Sequence, residues 1–390
     1  MKKALVLGLG LSGKSASSFL KKRGYEVVEV DDKLAPAKID DFSAFSLLVP
    51  SPGIPPVHPL YQKTVAAGVE VVSEVELALR QLSNPCIGVT GTNGKSTVVK
   101  MIEHILSACG KPAKAVGNIG EPLSSYVDHQ NEEEVLVLEL SSYQLYTPLS
   151  KKLDVALILN ITEDHLDWHG SFDEYAKAKL QIQQSLKESA PLIVFEKVAE
   201  QFLLSCETFG GDDPNREAAT LAVSHFGIER AQAELAMISF VSLPHRLEHV
   251  ATIDGVEYYN DSKATNVAAT LQALSQMEKS VVLLLGGEDK GLNFLPLAGC
   301  KEKMSHVIAF GEAGPKIASV FSGKLSVSTT PTLEEAIKQA RKIATDQEVV
   351  LFSPGSSSFD AFENFEKRGE FFREKISKLQ YPESSDRLRI

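Results

Sequence analysis

The chain is poor in cysteine: of 390 residues only Cys86, Cys109, Cys206 and Cys300 carry a thiol, and they lie far apart. No disulfide or metal-ligand spacing joins them, so neither a disulfide scaffold nor a cysteine-held zinc site is expected. A reducing, cytoplasmic setting is the simplest fit. Positive charge is also in short supply, with 40 Lys+Arg against 51 Asp+Glu and a formal net charge of −11. That balance argues against a protein held mainly by electrostatics on nucleic acid or on an anionic membrane. It leaves room for an anionic small ligand, which local groups can hold. No apolar run approaches the ~18 residues needed to span a bilayer, so no membrane insertion is expected. The one leader-like stretch, residues 4–7 after Met1-Lys2-Lys3, is interrupted by Gly8, Gly10 and Gly13 and reads as a first strand. Repeats of solenoid length and low-complexity tracts are missing too.

What is present is an alternation of short Val/Leu runs with helical stretches, in a chain long enough for about two or three domains. Unbroken apolar runs suit parallel strands buried on both faces. In the first segment, 1–83, strands are predicted over residues 4–9, 26–30, 47–49 and 69–72, followed by a Ser73-capped helix over 74–82. Asn84-Pro85 breaks that helix and sets the first boundary. The second segment, 84–242, has predicted strands at 87–90, 135–140 and 155–161, a helix after Lys95, and others over 172–187 and 216–226. The third, 243–390, opens with a hairpin of 247–253 and 256–259 turning through Asp254-Gly255. Strands at 281–286, 306–310 and 349–352 follow, with helices near 333–345 and 359–379, while 381–390 has no pattern. The fold class expected is α/β, in three successive units.

The strongest local signal is Gly88-Val89-Thr90-Gly91-Thr92-Asn93-Gly94-Lys95-Ser96-Thr97, a strand running through a glycine turn into a helix. Glycines let backbone N–H groups converge on phosphate oxygens, Lys95 adds a point charge, and Ser96 can ligate Mg²⁺. Val89 stands where the general phosphate loop has glycine. Glu139 ends an apolar run, where an acid is costly unless it is paired, on a metal, or part of a cap cluster. Asn160-Ile161-Thr162-Glu163-Asp164-His165-Leu166-Asp167 follows a strand, where open α/β sheets bind ligands. On its own, His165 reads equally as a solvated loop residue, and Lys179 as an ordinary surface lysine. Gly8-Leu9-Gly10-Leu11-Ser12-Gly13, with Asp31 further on, formally fits a dinucleotide fingerprint and alone would suggest NAD.

Gly91-Thr92-Asn93-Gly94-Lys95-Ser96 resembles the ATP loop of the Mur ligase and folylpolyglutamate synthase superfamily, which joins an amino acid to a carboxylate through an acyl phosphate. The Asn160–Asp167 run resembles a second family motif. So do Leu243-Pro244-His245-Arg246-Leu247-Glu248 and Tyr259-Asn260-Asp261-Ser262-Lys263-Ala264-Thr265-Asn266. The likeness runs from Gly8 to Gly369. It implies the three-domain Mur ligase architecture: a Rossmann-like N-terminal domain, a P-loop ATPase-like central domain and a Rossmann-like C-terminal domain. It also implies ATP and two Mg²⁺ sites, held by Ser96, Glu139, His165 and Lys179, the lysine as an N-carbamate. ATP would lie on Gly91–Thr97, with Arg246 at the γ-phosphate, Asp261 at the ribose and Asn215 at the adenine. Asn215 fits a helix N-cap nearly as well. Lys95, His165, Lys179 and Arg246 would be the catalytic set.

The Asp-Asn-Pro-Arg of diaminopimelate-adding members does not occur. Leu284–Gly291 and Phe352–Gly369 instead resemble the D-glutamate-adding branch. Lys290 would pair with the side-chain carboxylate of D-glutamate, helped by Lys263, Thr265 and Ser358, with Phe365 as a wall. The other substrate implied is UDP-N-acetylmuramoyl-L-alanine. Gly10 and Ser12 would face its diphosphate, Asp31, Asp32 and Lys33 its uracil, and Ser51 and Gly53 would close over it. Asn118, Ser141 and His165 would meet it from the central domain. A monomeric enzyme of peptidoglycan precursor synthesis is expected. Residues 180–214 are fewer than is usual in the family, and small auxiliary strands are expected to be missing there.

Overall fold

The computed structural model describes residues 2–31, 39–241 and 243–380. Asp32, Lys33, Ser242 at the expected second boundary, and the C-terminal 381–390 lie outside them. The chain divides into two compact units, Met1–Phe240 and Val241–Ile390.

The first unit carries two all-parallel sheets. One has the order β2 (Glu26–Val30), β1 (Lys3–Leu7), β3 (Leu47–Pro50), β4 (Glu70–Val71). The other runs β10 (Glu207–Phe209), β9 (Leu192–Phe195), β8 (Val155–Ile158), β5 (Cys86–Thr90), β7 (Val135–Glu139), β6 (Ala113–Gly117). Strands β5, β7 and β8 are buried along their whole length, as their unbroken apolar sequences require. Val6 and Val49 of the first sheet and Leu138 and Ile158 of the second belong to one continuous apolar cluster. The two sheets therefore share a core.

The second unit holds a single sheet ordered β11 (Glu248–Ile253), β12 (Val256–Asn260), β16 (Val349–Phe352), β13 (Val281–Gly286), β14 (Met304–Phe310), β15 (Val327–Thr330). Only β11 and β12 are antiparallel. They form the expected hairpin, with Asp254 and Gly255 at φ 49° and 80°, the left-handed pair that a tight hairpin turn demands.

Several elements depart from expectation at their ends, three of them instructively. Strand β8 stops at Ile158 rather than 161, because the Asn160 side chain turns back onto the phosphate loop, accepting from Asn93 N at 2.7 Å and donating to Asn93 O at 3.0 Å. The helix expected over 172–187 is α-helical only for Phe172–Leu180 and tightens to a 3₁₀ turn over Gln181–Ser185. The last helix begins at Phe365, not 359; Asn364 Oδ1 caps it by accepting from Lys367 N at 2.7 Å. Residues 180–214 contain β9 and the edge strand β10, which extend the central sheet and which the sequence reading passed over, although Leu192-Ile193-Val194-Phe195 is an apolar run.

Candidate active site

The phosphate loop leaves β5 at Thr90 and enters the helix Lys95–Ala108 through Gly94, which caps it at φ 85°. That φ suits glycine, and a Cβ there would stand 2.7 Å from Asn215 Oδ1, so Asn215 lies against the loop. The helix Pro214–Ser224 is capped by Asp213, whose carboxylate accepts from Arg216 N at 3.1 Å. Asn215 is thus not the cap, and its side chain is left to the loop.

Two lysines converge on one carbonyl. Lys95 Nζ donates to Gly91 O at 2.7 Å and to Thr92 O at 2.9 Å, and Lys179 Nζ donates to the same Gly91 O at 2.8 Å. Lys179 is only 2% exposed, against the expectation of a surface lysine that its sequence context alone would give. Burial first, and the neighbouring Lys95 second, push its pKa well below the ordinary lysine value. Its amine therefore gives up its proton more readily than an ordinary lysine does. Its nitrogen sits 4.7 Å over the Tyr175 ring, and the Tyr175 hydroxyl shares a 2.9 Å hydrogen bond with Thr92 Oγ1. Thr92 in turn holds the next loop, its hydroxyl accepting from Thr162 N at 3.0 Å. Tyr175 is a site residue that the sequence reading missed; it lies one helical turn before Lys179, the spacing at which two side chains share a face.

Glu139 ends β7 beside the start of the phosphate loop, in register with Val89. One carboxylate oxygen accepts from Asn118 Nδ2 at 2.8 Å; the other is buried with no hydrogen-bond partner. Asn118, expected at the substrate, thus orients Glu139. An orphaned carboxylate oxygen next to a phosphate cradle fits an oxygen-seeking cation. No group of three His, Cys, Asp or Glu side chains placed to hold a metal ion occurs among the described residues. Mg²⁺ accepts such a setting, since it binds through one or two protein oxygens, substrate phosphates and waters. Ser96, buried in the first turn of the helix, is the second protein oxygen available.

His165 takes a left-handed φ of 53° at the head of the short helix Leu166–His169, its ring tilted against Tyr143 at 4.9 Å. The surrounding protein lowers its pKa, with Lys179 and Lys95 adding to the effect and Asp164 opposing it. Ser141 is buried and bonded to Gln144 Oε1 at 3.0 Å.

At the end of β1, Gly10 caps the helix Leu11–Lys22, with Ser12 in its first turn. Asp31 Oδ2 accepts from Leu9 N at 2.6 Å, and the Ser51 hydroxyl donates to Gly8 O at 2.7 Å. A Cβ on Gly13 would stand 1.9 Å from Gly8 O, so this turn tolerates only glycine there. Gly53 is exposed after β3.

In the second unit, Asp261 is buried, accepting from Ser353 Oγ at 2.7 Å and Leu247 N at 3.2 Å. Burial lifts its pKa to about 7. Arg246 lies between His245 and Leu247, both at positive φ (62° and 43°). Asn260 pins this strained turn by donating to His245 Nδ1 at 2.8 Å. Lys263 Nζ stands 3.7 Å over the Phe365 ring, so Phe365 meets a cation as well as forming a wall. Lys290 pairs with Glu288 at 3.4 Å, Ser358 is buried, and Thr265 is half-buried before the helix Val267–Ser275.

Sequence reasoning overlooked Arg368. It is fully buried and donates to the carbonyls of Ser262 (2.9 Å), Ser356 (3.0 Å) and Ser357 (2.9 Å) and to Ser262 Oγ (3.1 Å). It thereby ties the Asp261–Lys263 turn to the serine loop before Ser358. The available signal was a charge on the apolar face of a helix, in line with Phe365, Phe372 and Ile376.

A parallel α/β sheet with an ATP-type phosphate loop, a buried acid and a buried lysine at its strand ends defines a class of nucleotide-using enzyme, and comparison supplies the family. The profile of the Mur ligase middle domain matches residues 89–229, and that of the Mur ligase glutamate ligase domain matches 245–355. The chain belongs to the Mur ligase family. It is 37% identical to the UDP-N-acetylmuramoylalanine–D-glutamate ligase of Protochlamydia amoebophila, covering 97% of this chain and 98% of that one. The ligase of the same name from Aquifex aeolicus is also 37% identical, over 96% and 98%. Among solved structures, the MurF ligase of Thermotoga maritima in complex with ADP superposes with a TM-score of 0.62 at 16% identity, over 97% and 96%. At that identity the likeness speaks for the fold alone. No helix among the described residues is long and apolar enough to cross a membrane.

Proposed function

We propose that this chain is the ATP-dependent ligase that joins D-glutamate to UDP-N-acetylmuramoyl-L-alanine, giving ADP and phosphate, in peptidoglycan precursor synthesis. The observation that carries this reading is near-full-length similarity to D-glutamate ligases at 37% identity. The pairing of Lys95 and Lys179 on Gly91 O beside Glu139 supplies a centre suited to phosphoryl transfer.

The L-alanyl carboxylate attacks the γ-phosphorus of ATP, and ADP leaves. Lys95 and the loop N–H groups hold the phosphates, and Arg246 stabilises charge building on the transferred oxygens. Asn215 and Asp261 hold adenine and ribose. The amine of D-glutamate then attacks the acyl phosphate and loses a proton, and the tetrahedral centre collapses to amide and phosphate. Lys290, Lys263, Thr265 and Ser358 bind the incoming amino acid, with Phe365 as a wall. Gly10, Ser12, Ser51, Gly53 and Asp31 hold the nucleotide end of the muramoyl substrate, and Ser141 and His165 its reacting end. Glu139 and Ser96 are suited to Mg²⁺, which would neutralise the phosphate oxygens, while Asn118 fixes the Glu139 carboxylate. In its unprotonated form Lys179 can add CO₂ at Nζ with loss of a proton, and the carbamate would be an anionic oxygen donor for a second Mg²⁺.

The test is phosphate release from ATP with UDP-N-acetylmuramoyl-L-alanine, comparing D-glutamate with L-glutamate, L-lysine and meso-diaminopimelate. Release only with D-glutamate is expected, and Lys95→Ala should abolish it. Release with another amino acid would overturn the roles of Lys290 and Ser358. Near-normal turnover by Lys95→Ala would overturn the phosphate-loop assignment.

A further inference from the structure

Glu288 stands just past the carboxyl end of β13 and takes no part in the roles above. The backbone there is pressed against the loop that leaves β16. Gly286 N donates to Pro354 O at 3.0 Å, and Glu288 N to Ser357 O at 3.1 Å. Gly287 lies between them at φ 133°, and a Cβ on it would stand 2.3 Å from Ser357 O. Side chains close the seam: the Ser356 hydroxyl donates to Glu288 O, and the Ser357 hydroxyl to Glu288 Oε2. Arg368 holds the same loop through Ser356 O and Ser357 O. Glu288 is thus half-buried and fixed at both its backbone and its carboxylate.

Lys290 is the opposite case. Its side chain is 43% exposed, and a long free chain must give up rotamer freedom before it can grip a substrate. Its Nζ stands 3.4 Å from Glu288 Oε2, the oxygen to which Ser357 donates, and 5.4 Å over the Phe359 ring. Asp289 is turned elsewhere, its Oδ1 accepting from Gly291 N at 3.0 Å and facing Lys316 Nζ at 3.3 Å. An exposed ion pair adds little stability, but it sets where the ammonium waits. Here it waits at the loop that carries Ser358. We propose that Glu288 is a positioning residue for the amino-acid substrate, holding the Lys290 ammonium so that the side-chain carboxylate of D-glutamate meets an oriented cation. An ammonium has three N–H donors, so one given to Glu288 leaves two for the substrate. Lys290 in turn neutralises Glu288, which would otherwise repel the incoming carboxylate. The inference rests on the function proposed above and adds a residue on which its amino-acid affinity depends.

The experiment is a double-mutant cycle on the full chain, read as phosphate release at saturating ATP and UDP-N-acetylmuramoyl-L-alanine. Glu288→Gln keeps the shape and an oxygen for the Ser357 hydroxyl and removes the charge. It should raise the KM for D-glutamate about two- to fivefold, the worth of one exposed ion pair, and leave the KM for ATP as in the parent. In a Lys290→Ala background the same substitution should not raise the KM for D-glutamate, because the group it acts through is gone. An unchanged or lowered KM from Glu288→Gln alone overturns the proposal. So does an equal rise in both backgrounds, which would make Glu288 a scaffold residue. Ser357→Ala loosens the carboxylate without altering charge and should raise the same KM in the same Lys290-dependent way; no rise there overturns the proposal if Glu288→Gln fails to fold. A parent chain that releases no phosphate with D-glutamate overturns the proposed function instead.

Discussion

Among the described residues, each unit buries one basic side chain against main-chain carbonyls, and the two behave differently. Lys179 presents a single nitrogen to Gly91 O, next to Lys95. Arg368 spreads its guanidinium over three carbonyls and a hydroxyl. Burial lowers both pKa values, that of Lys179 far below its usual range and that of Arg368 only to about 10. Lysine gives up its proton more easily and so comes closer to a nucleophile available to chemistry. Arginine stays charged and becomes a fixed brace. The same burial therefore produces a reactive group in one unit and a scaffold in the other.

The comparison breaks most visibly at Lys179→Met. Turnover should fall by on the order of 10³-fold, the loss expected when a group stabilising transition-state charge is removed. Stability should rise rather than fall. The unfolded chain binds a proton at Lys179 more readily than the folded one, so the buried lysine costs stability below pH 10.5 and the cost shrinks as pH rises toward that value. Gly91 O keeps its bond from Lys95. Thermal unfolding in CO₂-depleted buffer at pH 7 should show a Tm about 2–4 °C higher for the variant. A lower Tm would mean that Lys179 is structural, like Arg368.

Arg368→Met is the mirror experiment. Three buried carbonyls lose the guanidinium as donor, Ser357 O alone keeping a bond from Glu288 N, and denaturant unfolding of the full chain should register a loss of roughly 3–5 kcal/mol. Arg368→Lys, with fewer donors and no fork, should recover only part of it. A methionine variant as stable as the parent would remove the brace from this account.

A smaller effect is expected at Asn118→Ala, which frees the Glu139 oxygen held at 2.8 Å. The Mg²⁺ concentration giving half-maximal phosphate release should rise about 10- to 100-fold, as when a residue orienting a metal ligand is lost. No change would detach Glu139 from the metal. The smallest effect concerns Asp261. Its carboxyl is easier to protonate folded than unfolded, so this group's contribution is fully present below pH 3.8 and is lost as pH rises through about 7. Asp261→Asn should flatten that part of the Tm-against-pH curve, and an unchanged slope would mean the carboxyl is not strained by burial.

Much of this was legible without coordinates. Glycines 91 and 94, Lys95 and Ser96 announce a phosphate loop because its chemistry is local: a turn, a helix start and one cation within ten residues. The hairpin at Asp254-Gly255 is legible for the same reason, since a two-residue turn needs left-handed backbone there. Strand β8 and the last helix were misjudged at their ends, where side chains of Asn160 and Asn364 decide the matter by bonding to backbone.

The chain by itself determined the α/β order, the phosphate loop and the family, because hydrophobic period and motif spacing are properties of neighbours in sequence. Only tertiary structure decided that Lys179 is buried with a lowered pKa, that Asn118 serves Glu139, and that Arg368 braces the serine loop. A pKa and a hydrogen bond depend on what surrounds a group in space. Those surroundings come from residues 11 to 106 positions away, whose identity no local pattern records.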